Sequence, residues 1–477
     1  MHQGAGFRTV GTMDRNVVMR SLPAVDKVVA ALADLPLPAP VRVRLARRHL
    51  EMLRRSADDR TEPFEAEVVL KEIRDQAAAL ARARIQPVLN GTGILIHTNL
   101  GRSPLAPAAA DHLRAVATGY CNVELDLEEG RRGPRAAYLE ACLAALCEAE
   151  AATAVNNCAA ALVLVLKTFV RAGRDEVIVS RGELVEIGGG FRIPEILEAS
   201  GARLREVGTT NRTRLADYES ALGPATALIL KVHQSNFHLQ GFTEEASLGE
   251  LAELADRANI PLVHDLGSGA VMDIAALAPL EHEPTPAESL RAGAGLVCFS
   301  GDKLLGGPQS GLVAGRAEWV GRIKKEPFFR ALRCDKLILT VLQETVAAYL
   351  EARSDPAVSP VPVVAMLRLP LESLRARGEA LRESLDGKLA GVRVEVGESE
   401  ARTGGGTLPR SSLPSVSLDL VPVREGPGLD TLAARLRAGR PPVVGYAAPD
   451  RFRLDLRTIF PEQDKTLERV LKIVLGA

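Results

Sequence analysis

The sequence has no excess of charge of either sign, no zinc-ligand spacing of cysteines and no apolar run long enough to span a membrane. Its 59 lysines and arginines almost balance 60 aspartates and glutamates, so any contact with nucleic acid has to come from a local patch. The six cysteines lie mostly in apolar patterns, which favours reduced thiols in a cytoplasmic protein. Residues 1–20 lack the apolar segment of a signal peptide and predict a disordered extension.

The remaining 457 of the 477 residues predict three further parts. Residues 21–85 form a helical module, because helical patterns are separated there by prolines. Residues 86–355 form a large α/β domain, and a proline-rich stretch separates it from a small α/β domain over 356–477.

Apolar runs and helical patterns alternate from residue 151 onward, which predicts a mostly parallel sheet with helices on both faces. The predicted strands of this sheet are 153–155, 176–179, 203–207, 225–232, 261–264, 295–299 and 311–314, and the predicted helices between them include 158–170, 185–200, 217–222 and 247–258.

A lysine follows one of these strands at the start of a glycine-rich turn. Residues 300–311 are Ser-Gly-Asp-Lys-Leu-Leu-Gly-Gly-Pro-Gln-Ser-Gly, directly after an apolar run. An amine in such a setting can have a lowered pKa and can form a Schiff base with an aldehyde, while Ser300 could offer its hydroxyl to a phosphate. The alternative is that Lys303 is a surface lysine in a turn.

A carboxylate at the end of a second strand favours the functional interpretation of Lys303 over the surface lysine. Asp265 follows the apolar run 260–263, at the edge where open α/β sheets bind ligands. Pyridoxal phosphate needs a carboxylate against its pyridine nitrogen, because the protonated ring is the better electron sink. The pair of Asp265 and Lys303 resembles the cofactor site of fold-type I (aminotransferase-like) pyridoxal-phosphate enzymes. The amides of Asn157 and Cys158 could hold the phosphate at a helix start, although simple helix capping explains the asparagines equally well.

Two groups of arginines are candidates for binding anions. Residues 42–55 contain six arginines and one acid, a net charge of +5, and four of the arginines share one side of the predicted helix. This side could contact RNA phosphates or could be a solvated surface. Arg330 and Arg333 are three residues apart on a predicted long helix, and Arg102 follows a glycine before another helix; an ion pair with a carboxylate is the alternative for Arg102. The four arginines of the first group are Arg44, Arg47, Arg48 and Arg55.

The chain resembles the bacterial selenocysteine synthases, which are L-seryl-tRNA(Sec) selenium transferases. The resemblance runs from about Leu22 to near the C-terminus, with one departure at Cys158, where a third asparagine is expected after Asn156 and Asn157. Besides the motifs around Asp265 and Lys303, it rests on residues 22–27, 90–102, 180–190, 207–211 and 231–237.

The resemblance implies that serine on tRNA(Sec) is converted into selenocysteine with selenophosphate as donor, through an aldimine with pyridoxal phosphate and an aminoacrylyl-tRNA. It implies that Lys303 holds the cofactor and acts as general base, and that Asp265 keeps the ring protonated. It further implies that Arg102, Arg330 and Arg333 bind selenophosphate, that the basic helix binds tRNA, and that the protein is a homo-oligomer built from dimers, such as a decamer ring.

Two other functions are compatible with parts of the sequence. A pyridoxal-phosphate lyase acting on a small free amino acid or amino sugar would need an arginine for the substrate carboxylate, and Arg457 could serve, but it would have no use for residues 22–84. A non-catalytic RNA-binding protein on an enzyme scaffold would have no need of both Asp265 and Lys303.

Overall fold

The computed structural model describes residues 13–187, 190–352 and 359–476. The chain divides into two compact units, Met1–Pro87 and Val88–Ala477. The further boundary near residue 355 stays a prediction. In the described ranges no helix has both the length and the apolar composition needed to cross a bilayer.

The N-terminal unit is helical. Its longer helices have one apolar side each, and these sides meet in a core that includes Leu32, Leu50 and Ile73. The helices are Arg15–Arg20, Val25–Ala31, Ala39–Arg55 and Ala66–Arg82. The last three overlap the helices that the sequence predicts, which run over about 21–35, 41–55 and about 65–84.

The predicted disordered extension over 1–20 is wrong in its second half. Residues 1–12 lie outside the described residues, but Arg15–Arg20 forms a short helix that Asp14 caps by accepting a hydrogen bond from the amide of Asn16. Val18 is fully buried in the core of this unit, and burial of that side chain stabilises the helix.

A seven-stranded sheet organises the second unit and confirms the predicted mostly parallel architecture. Gly311–Gly315 runs antiparallel to both of its neighbours, and the other neighbouring strands are parallel to each other. The strands lie in the order Ala151–Val155, Gly311–Gly315, Leu296–Ser300, Leu262–Gly267, Thr226–Val232, Glu176–Ser180 and Arg203–Val207.

Both faces of this sheet are covered, which is why its central strands are apolar at almost every position. In Leu296–Ser300, Leu296 and Cys298 pack into one apolar cluster, and Val297 and Phe299 pack into another on the opposite face. The helices of the second unit are Pro107–Ala117, Ala137–Cys147, Cys158–Phe169, Ile193–Ala199, Leu215–Ala221, Leu248–Ala258, Pro286–Arg291, Ala317–Lys325, Pro327–Leu332, Lys336–Glu351, Pro362–Arg368, Leu371–Leu385, Leu429–Arg437 and Asp464–Leu475.

A second sheet of five strands lies in the C-terminal part and recruits a strand from the beginning of the unit. Ile94–Ile96 pairs in parallel with Val392–Gly404, whereas the other neighbours are antiparallel. The strand order is Tyr446–Ala448, Arg451–Asp455, Leu413–Pro422, Val392–Gly404 and Ile94–Ile96. Short two-stranded pairs join Leu89–Asn90 to Val443–Val444, Leu125–Asp126 to Arg131–Arg132, Glu186–Ile187 to Phe191–Arg192, and Arg212–Thr213 to Glu244–Glu245.

The predicted helix over 185–200 is wrong in its first half. Glu186–Ile187 and Phe191–Arg192 pair as antiparallel strands, and the helix begins only at Ile193. Gly190 between the two strands has φ +82°, a left-handed conformation that a continuous helix cannot contain.

The predicted long helix after residue 326 is also wrong. Pro327–Leu332 ends before Arg333, whose extended backbone forms a bridge with Val155. A new helix, Lys336–Glu351, then begins with Asp335 accepting hydrogen bonds from two amides of its first turn. Arg330 and Arg333 therefore do not share one side of a helix.

The contact between Gly311 and the start of helix Cys158–Phe169 makes a prediction about stability. A Cβ at residue 311 would lie 2.0 Å from the carbonyl oxygen of Asn157, so Gly311→Ala must displace backbone and should cost about 1–3 kcal/mol of unfolding free energy. The control is Gly321→Ala, because Gly321 lies in a helix with open space around it. Thermal melting of both variants measures the effect, and equal melting temperatures would contradict the prediction.

Candidate functional site

The candidate cofactor residues converge at one edge of the seven-stranded sheet. Asp265 and Ser300 lie near the carboxyl ends of neighbouring parallel strands, and Lys303 follows in the next turn. The Sγ of Cys158, at the start of a helix, lies 3.7 Å from Oδ1 of Asp265. The hydroxyl of Ser300 interacts with the same thiol, and Lys303 interacts electrostatically with both Cys158 and Asp265.

Lys303 is buried, with 4% of the residue exposed. Its Nζ forms no hydrogen bond or ion pair with any residue that the structure describes. The turn around it is fixed by backbone contacts, since Ser103 Oγ donates to the carbonyl of Lys303 at 2.5 Å and the amide of Leu304 donates to the carbonyl of Ser268 at 3.0 Å. Burial lowers the pKa of the amine, which increases the fraction of the nucleophilic form at neutral pH.

Asp265 is a buried acid that also lacks a strong partner. Burial raises its pKa from 3.8 to about 6, although the nearby Lys303 amine and the thiol of Cys158 act in the opposite direction. A cationic ring nitrogen beside this carboxylate would supply the missing opposite charge. Ser268 Oγ is fully buried and has no hydrogen-bond partner in the described part of the chain, so a polar ligand group could bind there as well.

Asn157 caps the helix that begins at Cys158. Its side-chain oxygen accepts a hydrogen bond of 2.8 Å from the amide of Ala160, so simple capping explains this asparagine. The capping bond leaves the earlier amides of the first turn for a ligand, as a phosphate requires. The phosphate-binding role of Asn157 and Cys158 stays a prediction.

The three arginines suggested for anion binding lie in different surroundings. Arg102 Nη1 bonds both carboxylate oxygens of Asp302 at 3.0 and 2.9 Å, and Asp302 directly precedes Lys303. Arg333 Nη1 bonds Glu124 Oε1 at 2.9 Å. Arg330 is exposed and forms no ion pair with the residues described.

Sequence reasoning missed the two carboxylates that hold these arginines. Asp302 pairs with Arg102 across 200 positions, and Glu124 pairs with Arg132 at 2.7 Å and Arg135 at 2.6 Å in addition to Arg333. The hydrogen bond from Arg135 is the main cause that lowers the pKa of Glu124. The position of Asp302 directly before Lys303 could have marked it as a site residue, whereas no local pattern in the sequence links residue 124 to residue 333.

Comparisons with known proteins decide the family. The family model described as L-seryl-tRNA selenium transferase matches residues 88–460. The L-seryl-tRNA(Sec) selenium transferase of Desulfovibrio desulfuricans is 43% identical over 97% of this chain and 98% of its own length, and that of Aquifex aeolicus is 39% identical over 96% and 99%. The chain belongs to this family.

As a member of the L-seryl-tRNA selenium transferase family, the protein uses pyridoxal phosphate, and the described residues fit that cofactor. Lys303 and Asp265 are buried without strong partners, and Ser268 Oγ is a buried hydroxyl in need of one. The fold is shared with a D-glucosaminate-6-phosphate ammonia-lyase, which superposes with a TM-score of 0.55 at 18% identity, over 82% of this chain and 96% of that one.

The predicted tRNA-binding arginines of this selenium transferase lie on helix Ala39–Arg55 of the N-terminal unit and are exposed. Arg55 forms an ion pair with Glu51 at 2.6 Å. Arg44, Arg47 and Arg48 have no ion-pair partner among the described residues. Their role in binding tRNA stays a prediction.

The raised pKa of Asp265 predicts how the stability of the cofactor-free enzyme depends on pH. The folded protein holds this proton up to about pH 6, whereas an unfolded aspartate loses it near pH 3.8, so stability falls as pH rises through this window. Asp265→Asn removes the effect and should make cofactor-free protein up to about 3 kcal/mol more stable than wild type at pH 8, with a smaller difference at pH 5. Melting of both stripped proteins at the two pH values measures this. A variant that is less stable at pH 8 would contradict it.

Proposed function

We propose that this protein converts L-seryl-tRNA(Sec) into L-selenocysteinyl-tRNA(Sec), with selenophosphate as the selenium donor and in the cytoplasm, where aminoacyl-tRNA is used. The observation that carries the proposal is a buried, unpartnered Lys303 beside buried Asp265 in a chain of the selenium transferase family. Among the described residues, Lys303 Nζ forms no hydrogen bond or ion pair, and the carboxylate of Asp265 forms no ion pair with a cationic side chain.

The residues suit an exchange at Cβ of the seryl group. When bound, pyridoxal phosphate supplies the electron sink that makes the Cα proton acidic and lets the β-hydroxyl leave. Lys303, with its lowered pKa, would take the Cα proton and would return it after the selenium of the donor has bonded to Cβ in place of the departed hydroxyl. Water then breaks the Se–P bond of the donor, which releases phosphate and leaves the selenol. Asp265 would hold negative charge beside the ring nitrogen of the bound cofactor, where it would favour a protonated ring.

The selenium donor is a small polyanion, and we propose Arg102, Arg330 and Arg333 as its ligands. Arg102 is anchored beside the lysine turn through Asp302. Asp302 and Glu124 form ion pairs with Arg102 and Arg333, so the anion would compete with these carboxylates for the guanidinium groups. Such competition would make donor binding depend on ionic strength.

The tRNA contact is proposed for the exposed side of helix Ala39–Arg55, through Arg44, Arg47, Arg48 and Arg55. Three of these arginines lack a carboxylate partner among the residues described, which favours a phosphate contact over a structural ion pair.

A homo-oligomer built from dimers is supported by exposed apolar side chains in the segment 119–138. Tyr120, Leu125, Leu127 and Tyr138 are all at least 47% exposed within twenty residues of sequence. Apolar groups of this size clustered on a surface commonly mark a protein interface.

The alternative function, a lyase acting on a small free amino acid, requires an arginine that binds the substrate carboxylate. Arg457, the candidate for the substrate carboxylate, is 3% exposed, and its terminal nitrogens donate to the carbonyls of Met366, Leu369 and Pro414 at 2.6–3.1 Å. These bonds make it a structural arginine. An aminoacyl ester, which has no free carboxylate, does not need such a ligand.

Replacement of the lysine tests the reaction. Lys303→Ala should lower selenium transfer by at least about 100-fold, because the general base is lost, while affinity for tRNA(Sec) stays unchanged. The measurement is label from selenophosphate in the aminoacyl position of tRNA, with free serine as a parallel substrate that should not react. Lys325→Ala, an exposed lysine, is the control. Unchanged turnover in Lys303→Ala would refute the mechanism, and reaction with free serine alone would favour the lyase.

Replacement of the helix arginines tests the tRNA contact. The triple variant Arg44→Ala/Arg47→Ala/Arg48→Ala should weaken binding of tRNA(Sec) about tenfold or more and flatten the dependence of affinity on salt, because phosphate contacts release counterions. Filter binding at several salt concentrations measures both effects. Lys71→Ala is the control, since Lys71 is an exposed cation of the same unit that pairs with Asp75. Equal affinity and equal salt slope in the triple variant and the control would show that this side of the helix is only solvated.

A further inference from the structure

The side chain of Cys158 lies at the cofactor site, but the proposed reaction gives it no role. It is the first residue of helix Cys158–Phe169, and its Sγ points to Oδ1 of Asp265 at 3.7 Å, within hydrogen-bond distance for sulfur.

The groups that face Asp265 define what the thiol can do there. From its own strand the amide of Gly267 bonds the carboxylate, and from the loop after the neighbouring strand His233 approaches it. Lys303 brings a basic amine, and Cys298 on the adjacent strand brings a second buried thiol. His233 is itself bonded to Glu283 at 3.0 Å, so its ring is already engaged.

The thiol of Cys158 is a donor at every working pH. Burial, reinforced by the charge of Asp265, raises its pKa well above the ordinary value, so it stays protonated. A protonated thiol can donate to a carboxylate, and the donation stabilises the charged form of that carboxylate. The hydroxyl of Ser300 also interacts with this sulfur.

We propose that Cys158 is a positioning residue that keeps the shared proton on the ring nitrogen of pyridoxal phosphate by donating a hydrogen bond to Asp265. The ring nitrogen and Asp265 compete for one proton. A donor to the carboxylate makes it the weaker base of the two, so the proton resides on the ring, where it strengthens the electron sink. The inference rests on the cofactor and on the contact with Asp265, and is independent of selenium and tRNA.

The test reads the protonation of the ring directly. Holoenzyme is prepared with pyridoxal phosphate labelled with ¹⁵N in the ring, and the ¹⁵N chemical shift is compared in wild type, Cys158→Val and Cys158→Ser. Valine fills the site without a donor and should lower the ratio of protonated to neutral ring about fivefold, moving the shift toward that of neutral pyridine. Serine keeps a donor and should retain the wild-type shift, as should Cys158→Asn.

Two controls separate this role from packing. Cys147→Val replaces a buried cysteine at the end of another helix and should leave the ¹⁵N shift unchanged. Cofactor affinity of each variant, measured by absorbance titration, shows whether the site is intact. An unchanged shift in Cys158→Val, or equal shifts in the valine and serine variants, would overturn the proposal. Neither result would bear on selenium transfer, which the Lys303→Ala experiment tests separately.

Discussion

The site depends on two ionisable groups that are buried before any ligand compensates them. Lys303 and Asp265 lie at the same edge of the sheet, and burial favours the neutral form of each. It lowers the pKa of the amine and raises the pKa of the acid. Burying such groups costs free energy, which the surrounding apolar strands and helices must supply. A cofactor with an aldehyde at one end and a basic ring nitrogen at the other would offer a partner to each. Binding of that cofactor would then add to the stability of the fold.

The arginines suggested for anion binding differ from these two groups, because two of them already have a partner of opposite charge. Arg102 and Arg333 each already form an ion pair with a carboxylate from a distant part of the chain. Glu124 accepts bonds from three guanidinium groups at once, so its cluster carries an excess positive charge even with the carboxylate in place. The donor site proposed for these arginines depends on that excess, because a dianion that displaces the carboxylate would replace one negative charge with two.

The sequence was informative wherever burial imposes a local pattern. Strands covered on both faces are continuous apolar runs, so the strand ends that carry Asp265 and Ser300, and the lysine turn after them, could be predicted. The helix over 185–200 was predicted wrongly because Gly190 adopts a left-handed conformation that residue spacing does not reveal. Pairings between distant residues, such as Arg333 with Glu124, depend on the tertiary fold and leave no local signal.

A shared fold does not fix the substrate, and the C-terminal part of this chain shows why. The superposed ammonia-lyase is only 18% identical, so the likeness concerns the scaffold alone. In this chain the guanidinium of Arg457 donates hydrogen bonds to the carbonyls of Met366, Leu369 and Pro414. These bonds connect a helix to the C-terminal sheet. An enzyme that handles an amino acid through its ester can give up a carboxylate ligand for such a structural role. For such an enzyme the attached nucleic acid offers another means of recognition, and this is the role proposed for the exposed arginines of helix Ala39–Arg55.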